Sequence, residues 1–219
     1  METLPGHLER MPPGQDLLQV EQLSLTQRER ILAALAEVVA ERGYQATTVE
    51  LIVKRAGVAR TTFYENFENR EACLLAGFDE GVEEARGRIA EAAESEEEWP
   101  EQVRAGLAAF LEWSTENRAL ARICLVETMT AGPKALERYE RALRSFTPML
   151  AEGREVATDA EELPETLEDS IVGGIVWMVH QRLLRDEADQ IPGLLATMLE
   201  LTLVPYVGEK RTAEVVAGI

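Results

Sequence analysis

The chain has 219 residues, of which 46% are hydrophobic and 28% are charged, and its formal net charge at pH 7 is −18. This length and hydrophobic content predict a folded protein of one or two domains and exclude a disordered chain. The longest uninterrupted apolar run, Ile171 to Val179, is shorter than the roughly 18 residues that a membrane helix needs, so no membrane span is predicted. Acids and prolines near the N-terminus do not form a secretory signal, and we expect a cytoplasmic protein.

Residues 1–23 are rich in proline and glycine, which predicts a flexible N-terminal arm. The segment from Thr26 to Arg42 repeats apolar residues at helical spacing, and this pattern predicts an amphipathic helix. Gly43 follows the segment directly and suits a left-handed helix cap.

A short second helix is predicted because Thr47 and Glu50 form the capping-box pattern, in which each side chain bonds the backbone N–H of the other. Gly57 ends this helix and permits a tight turn. A third short helix is predicted from about Ala59 to Tyr64.

A longer helix is predicted from about Asn69 to the acidic residues 91–98, which are expected to be a solvated helix end and loop. Later helices are predicted to begin at Trp99, Asn117, Pro133, Pro164 and Pro192, the last one ending near Val207. No segment shows the alternation that is typical of a strand. The predicted class is therefore all-α, with about nine helices.

Two short helices around a tight turn, between a first helix and a long one, are typical of a helix-turn-helix. In that motif the second short helix places side chains near its N-terminus in the major groove of DNA. Its polar side chains that are predicted to reach base edges or phosphates are Arg60, Thr61, Thr62, Tyr64 and Asn66. Phe63 and Phe67 are predicted to face inward and anchor this recognition helix.

The charge is unevenly distributed along the chain. Residues 24–70 contain seven basic and six acidic residues, a net charge of +1, whereas residues 1–23 have −3 and residues 71–219 have −16. Because duplex DNA attracts basic and repels acidic surfaces, residues 24–70 are the part of the chain most compatible with DNA.

The order of these features resembles the N-terminal domain of the TetR family of regulators. The shared elements are Gly-Tyr after the first helix, Thr-Thr before the second, Ala-Gly-Val at the turn, and Tyr-Glu-Asn-Phe near the end of the third. The match covers about Thr26 to Leu75, roughly a quarter of the chain. The remaining helices agree with the family in number and length only.

The resemblance assigns roles to individual residues. It implies that Arg60 and Thr61 lie at the groove-facing start of the recognition helix. It also implies that Tyr64 and Thr48 reach phosphates. Arg70 stands where the family usually has lysine, at the start of the fourth helix, where charge and helix dipole both favour a phosphate.

Two residues depart from the family pattern. Ala59 replaces the serine that commonly caps the recognition helix, at an expected cost of about 1 kcal/mol of local helix stability. Glu65 stands where an uncharged or basic group is usual, and we expect it to weaken DNA binding or to pair with Arg60 or Asn69.

The resemblance implies two functional parts: an N-terminal three-helix helix-turn-helix domain joined to a C-terminal helical ligand-binding and dimerisation domain. The predicted boundaries are 1–23 for the arm, 24–70 for the DNA-binding domain, 71–208 for the regulatory and dimerisation domain, and 209–219 for a C-terminal tail. The last two long helices are predicted to form a homodimer interface, the alternative being an internal core. The apolar residues behind this prediction are Ile171, Ile175, Met178, Leu183, Leu184, Leu194, Leu195, Met198, Leu201, Leu203 and Val204.

Members of the family bind small molecules between their middle helices, so the resemblance also implies an apolar ligand cavity. The candidate ligand-binding residues are Phe110, Trp113, Cys124, Tyr139, Trp177 and His180. Aromatic residues and methionine at helical spacing are more often core than cavity wall, and that alternative stays open for each of them. Cys73 and Cys124 are expected to be buried small hydrophobes, with a redox role as the alternative.

The predicted function is a ligand-responsive, sequence-specific DNA-binding transcriptional regulator: a repressor that a small apolar inducer releases from a double-stranded DNA operator. One alternative is a helical dimer that binds a ligand or protein without binding DNA. The other is an enzyme, but His7 and His180 form no Glu-x-x-His pair, and no phosphate loop or nucleophile elbow is present. We therefore predict no catalytic residue, no metal ligand and no cofactor.

Overall fold

The computed structural model of the protein describes the backbone of residues 15–218 and the side chains of residues 26–218. Within that range the chain forms ten α-helices and no strand, which confirms the predicted all-α class. The helices are α1 Gln15–Arg42, α2 Val49–Ala56, α3 Arg60–Asn66, α4 Arg70–Glu94, α5 Trp99–Glu116, α6 Arg118–Arg122, α7 Pro133–Arg144, α8 Thr147–Ala151, α9 Leu167–Leu184 and α10 Leu195–Val216.

The first helix is longer than the sequence pattern predicted. It begins at Gln15 rather than Thr26, so residues 15–23 of the predicted arm are helical. The glutamine, leucine and glutamate residues of that stretch favour helix, and no proline interrupts them. The rest of the predicted arm, residues 1–14, lies outside the described residues.

Helices α1 to α3 pack around side chains that are fully buried, among them Ile31, Ile52 and Phe63. Gly43 and Gly57 have positive φ angles of 74° and 63°, which confirms left-handed conformations at the ends of α1 and α2. Gly57 allows the chain to turn within the three residues between α2 and α3, since a side chain at this φ would be strained.

The start of α2 differs from the predicted capping box. Thr48, not Thr47, caps the helix: its Oγ1 accepts a hydrogen bond of 3.3 Å from the backbone N–H of Leu51. Thr47 is fully buried, and its hydroxyl donates to the carbonyl oxygen of Gly43 at 2.8 Å. The pattern predicted the wrong threonine because both precede the same apolar run, and only burial distinguishes them.

Helix α4 packs against α5 after a four-residue connection, and the chain then continues through α6 into a π-helical turn, Ile123–Glu127, and a short 3₁₀ turn, Thr128–Thr130. The π turn lies very close to α4. A Cβ atom at Gly81 would stand 2.5 Å from the sulfur of Cys124, so only glycine fits there without a shift. Such turns occur most often at functional sites.

A buried ion pair connects the C-terminal helices. Glu168 on α9 accepts hydrogen bonds from Nε and Nη2 of Arg154, at 2.7 and 3.1 Å, and from the hydroxyl of Tyr206 on α10, at 3.0 Å. The Tyr206 ring packs edge-on against Trp99 of α5, with 5.0 Å between ring centroids. The cluster therefore fixes α5, α9 and α10 together with the loop that follows α8.

Helix α10 is interrupted at Gly208, whose φ of 74° and ψ of 169° are not helical. Regular helix thus ends near Val207 as predicted, and helix resumes after Gly208 and continues to Val216, within the predicted C-terminal tail. Pro205 lies one turn earlier and lacks the N–H that a continuous helix needs.

The segment Ala188–Val216 is long and apolar enough to cross a membrane by length and composition alone, although the sequence predicted no span. The prediction counted only uninterrupted apolar runs, whereas this segment has a few charges among many apolar residues. Core helices of folded proteins pass the same test. Met198, Leu199 and Leu203 are fully buried within the fold, and 33% of the apolar window is buried in all.

Candidate DNA-binding surface and ligand cavity

The recognition helix α3 has one buried aromatic face and one exposed polar face. Phe63 is fully buried and Phe67 is 4% exposed, which confirms that these two residues anchor the helix. On the other face Arg60, Thr61 and Tyr64 are exposed. The Tyr64 ring packs edge-on against Phe63, with 5.4 Å between centroids, so its exposed hydroxyl is held by a buried neighbour.

Arg60 and Tyr64 interact with each other on the exposed face. Nη2 of Arg60 lies 3.3 Å from the Tyr64 hydroxyl oxygen, and its guanidinium carbon is 5.6 Å from the ring centroid. The predicted pairing of Glu65 with Arg60 or Asn69 is not what the structure has. Arg60 is engaged with Tyr64, and Asn69 caps α4 by accepting from the N–H of Ala72 at 2.9 Å.

Thr48, Thr62 and Asn66 differ in their availability to DNA. Thr48 is exposed, and because its oxygen accepts the capping bond, its own O–H is left to donate to a phosphate. Asn66 donates from Nδ2 to the carbonyl oxygen of Thr62 at 2.8 Å, and both residues are half-buried. These two are therefore less accessible than the exposed residues at the start of α3.

The resemblance implied that the Arg70 side chain is free to bind a DNA phosphate, but in the structure it is bonded to the protein backbone. Its Nη1 donates to the carbonyl oxygen of Tyr44 at 3.2 Å and to that of Thr47, and its guanidinium lies 4.2 Å from the centroid of the Tyr44 ring. The guanidinium thus holds the loop between α1 and α2. Sequence alone did not show this, since the loop carbonyls meet Arg70 only after α4 has packed.

Arg30 is a functional residue that the sequence analysis missed. Its Nη2 donates to the carbonyl oxygens of Ala56 and Gly57, at 2.6 and 3.1 Å. These bonds satisfy carbonyl groups at the C-terminal end of α2 and fix the turn that aims α3. Arg30 lies on the exposed side of α1, so the apolar pattern gave no signal for it.

Ala59 caps the recognition helix without a side-chain hydrogen bond, as predicted. We expect Ala59→Ser to stabilise the protein by about 1 kcal/mol, because a serine oxygen would accept from a free N–H in the first turn of α3. Thermal unfolding measures the gain. A serine variant no more stable than the wild-type protein would contradict the prediction.

A second site is a cavity of about 390 Å³ between α4 and α5, closed by α7, α8 and α9. Its lining includes Phe110, Trp113, Cys124 and Tyr139, four of the six candidate ligand-binding residues. Trp177 and His180 do not line it. The face of α9 that lines the cavity contains Val172, Ile175 and Val176. Trp177 lies on another face of the same helix and is 58% exposed. His180 stacks on Trp177, and its Nδ1 lies 2.7 Å from the carbonyl oxygen of Leu125.

The cavity is long and narrow. At about 1.5 Å per helical residue, its lining residues on α4, from Phe78 to Glu94, span about 24 Å. One end, which we call the mouth, is lined by the polar residues Glu94, Gln102 and Glu152. The other, which we call the deep end, is lined by aromatic residues and Cys124.

Both cysteines are free and buried, which confirms their prediction as small hydrophobes. Burial raises the pKa of Cys73 to about 12 and also raises the pKa of Cys124. At neutral pH both side chains are therefore protonated thiols, which are weak nucleophiles.

Glu127, at the end of the π turn, links the two sites. It is 8% exposed; its Oε2 accepts from the backbone N–H of Tyr44 at 2.9 Å, and its Oε1 lies 3.1 Å from Nε of Arg122. Two residues of the same turn, Cys124 and Leu125, line the cavity. One turn of helix therefore contacts both the ligand cavity and the loop between α1 and α2.

Only some of the apolar residues on α9 and α10 are exposed and thus available to a dimer interface. Trp177, Leu184, Leu201 and Val204 have exposed fractions of 58%, 52%, 39% and 36%. Other residues of the predicted interface are buried inside the protomer, so their assignment to the interface was wrong, because α9 and α10 turn them toward the core. These residues are Ile171, Ile175, Leu183, Met198 and Leu203.

Comparison with known proteins adds family information. The model of the family described as bacterial regulatory proteins, tetR family, matches residues 31–76. An uncharacterized HTH-type transcriptional regulator, YhgD of Bacillus subtilis, is 28% identical over 57% of this chain and 66% of its own length. The fatty acid metabolism regulator protein of the same species is 24% identical over 78% of this chain and 91% of its own length.

The fold also resembles solved structures. The transcriptional regulator FadR from Bacillus subtilis, in complex with stearoyl-CoA, superposes with a TM-score of 0.69 and 22% identity. The superposition covers 83% of this chain and 98% of that chain. The helical regulatory part, which the sequence matched only in helix number and length, therefore has the same fold as a known regulator.

Proposed function

Because the chain belongs to the TetR family of bacterial regulatory proteins, we propose that it is a ligand-responsive, sequence-specific DNA-binding transcriptional repressor. The observation that carries the proposal is the geometry of α3. Its N-terminal polar side chains are exposed, while Phe63 on the opposite face is fully buried. A short helix with a fixed inner face and a polar outer face is what insertion into a major groove requires.

We assign the contacts with DNA by chemistry. Arg60 and Thr61, at the start of α3, are suited to base edges, since arginine can donate two hydrogen bonds to guanine. Tyr64 and Thr48 have exposed hydroxyl groups that are suited to phosphates. Arg70 and Arg30 hold the loop and the turn that position these side chains.

The ligand is proposed to be an elongated apolar molecule that enters the cavity between α4 and α5. The length and apolar lining of the cavity support this ligand class, as does the likeness to regulators of fatty acid metabolism. A ligand that fits a conformation unable to bind the operator shifts the population toward it and, by linkage, weakens operator binding by the same factor.

A homodimer is proposed to form through the exposed parts of α9 and α10. Leu201 and Val204 of α10 and Trp177 and Leu184 of α9 are large apolar side chains that the protomer leaves exposed. A second copy is the partner that suits a helix-turn-helix, because two half-sites about one helical turn apart double the contacts with DNA. The dimer would have a net charge of twice −18, which disfavours non-specific binding to DNA and predicts steep salt dependence.

The proposal is tested by selecting bound duplexes from a random pool and then measuring affinity for the enriched sequence. We expect a palindrome, and a loss of about tenfold in affinity for each of Arg60→Ala and Tyr64→Ala. Arg144→Ala is the matched control, because it removes a positive charge from an exposed position on α7. Its affinity for the operator should remain within about twofold of the wild-type value.

Two results would count against DNA recognition. Affinity that stays constant from low to high salt would show that the phosphate contacts are wrong. A folded, dimeric protein that enriches no duplex at low salt would support the second candidate function, a helical dimer that binds a ligand or protein without DNA. The exposed carboxylate of Glu65, on the recognition helix, favours that candidate.

A further inference from the structure

The deep end of the cavity is lined by a largely buried tyrosine. Tyr139 on α7 lines the cavity and is 7% exposed, and its ring lies 6.5 Å from that of Phe78 on α4. Within the described residues its hydroxyl has no hydrogen-bond partner. Trp113, in the same wall, is 1% exposed, and its indole N–H also has no acceptor there.

Neighbouring aromatic residues do not share this property. Trp99, at the mouth, donates its indole N–H to the carbonyl oxygen of Met149 at 3.2 Å. The Tyr206 hydroxyl donates to Glu168 at 3.0 Å. Buried tyrosine and tryptophan side chains usually have such partners, because a buried donor without an acceptor costs free energy. Two aromatic donors that have no partner among the described residues, Tyr139 and Trp113, therefore both line the cavity.

The lining of the cavity disfavours an anionic partner for these donors. No arginine or lysine is among the described residues that line it. Arg86 of α4 does not line the cavity; its guanidinium lies over the Phe146 ring and is bonded to Ser145. A carboxylate at the deep end would be desolvated without a paired cation, which is costly.

We propose that the ligand has a neutral hydrogen-bond acceptor, a carbonyl or hydroxyl oxygen, at the end that enters the cavity first, and that Tyr139 donates to it. This inference rests on the proposed function, in that the cavity is the ligand site. It adds a chemical requirement: a chain that is saturated and unsubstituted at its leading end leaves the Tyr139 hydroxyl without a partner. Tyr139 is then a specificity-determining residue.

The test uses two probes of the same shape. One is methyl nonyl ketone, and the other is the alkene in which a methylene group replaces the carbonyl oxygen. Calorimetric titration of the full-length protein should show that the ketone binds about five- to a hundredfold more tightly than the alkene. In Tyr139→Phe this preference should disappear, because the donor is lost while the ring remains.

The alkene also serves as the control for folding. Tyr139→Phe should bind it as tightly as the wild-type protein does, since the alkene needs no donor. Equal affinity of the wild-type protein for the two probes would overturn this inference and leave the cavity as an apolar ligand site. A preference that persists in Tyr139→Phe would overturn the role of Tyr139. Binding of neither probe would overturn both the inference and the proposed ligand class.

Discussion

Replacing Glu127 by alanine is expected to lower the free energy of unfolding by about 3 kcal/mol. The carboxylate is buried and has two partners, the backbone N–H of Tyr44 and the guanidinium of Arg122. Its removal leaves both donors without this acceptor in a region that water hardly reaches. Urea denaturation of the two proteins at neutral pH measures the difference.

The same substitution is expected to weaken the effect of ligand on operator binding. Glu127 is the direct bond between the π turn, which lines the cavity, and the loop that leads into α2. Without it, movement of the turn is transmitted less well, and the ratio of operator affinities without and with methyl nonyl ketone should fall toward one.

Two further variants make the test of Glu127 specific. Glu127→Gln keeps an acceptor oxygen but loses the charge, and it should lie between alanine and wild type in stability. Glu137→Ala removes an exposed carboxylate that pairs with Arg141 on α7, and it should cost less than about 0.5 kcal/mol. If Glu127→Ala behaved like Glu137→Ala in both stability and ligand response, the proposed link would be wrong.

Replacing Glu168 by glutamine is also expected to destabilise the protein, by about 2 to 3 kcal/mol at neutral pH. Glu168 is 7% exposed and receives three hydrogen bonds, two of them from Arg154. Glutamine keeps the size of the side chain, but it cannot form the charged pair. Because this cluster joins α5, α9 and α10, its loss should also weaken the dimer that we propose.

The effect of Glu168 should depend on pH in a defined direction. The hydrogen bond from Arg154 is the main cause that holds the pKa of Glu168 below its ordinary value of 4.5. A carboxylate with a lowered folded pKa stabilises the protein fully above its ordinary pKa, and the contribution is lost as pH falls through the folded pKa. The wild-type advantage over Glu168→Gln should thus be complete at pH 7 and shrink steadily below about pH 4.5.

Denaturation curves of both proteins across that pH range check the prediction. The many other acids of the chain titrate equally in the two proteins, so the difference between them isolates Glu168. Glu140→Gln is the control, because Glu140 forms an exposed pair with Arg144 on α7. If the difference in free energy of unfolding between the wild-type protein and Glu168→Gln were the same at every pH, the assigned pKa shift would be wrong.

The recognition helix was predictable from sequence because its determinants are local. Gly57 marks a positive φ, and Phe63 and Phe67 are spaced to lie on one face, so the turn and the inward anchors followed from neighbouring residues. The absence of a side-chain cap at Ala59 was visible in the same way.

Contacts between distant segments were not predictable. Arg70 and the carbonyl oxygen of Tyr44 are 26 residues apart, and Glu127 and the N–H of Tyr44 are 83 residues apart. Such pairs meet only after the helices have packed, and the hydrophobic pattern of the sequence does not predict them. The prediction that Trp177 lines the ligand cavity was wrong for a related reason. Helical spacing shows which residues share a face, but it does not show whether that face lines a cavity or contacts a partner.

The π turn between α6 and the loop before α7 has a consequence for the register of the chain. A π-helical turn contains more residues than an α-helical turn, so it rotates the residues that follow it around the helix axis. Cys124 and Leu125 line the cavity while Glu127, two residues later, reaches Tyr44 in the loop after α1. Deleting one residue here would change composition and hydrophobicity little, but it would turn Glu127 away from the DNA-binding domain. Communication between ligand and operator thus depends on the number of residues in this turn as well as on their chemistry.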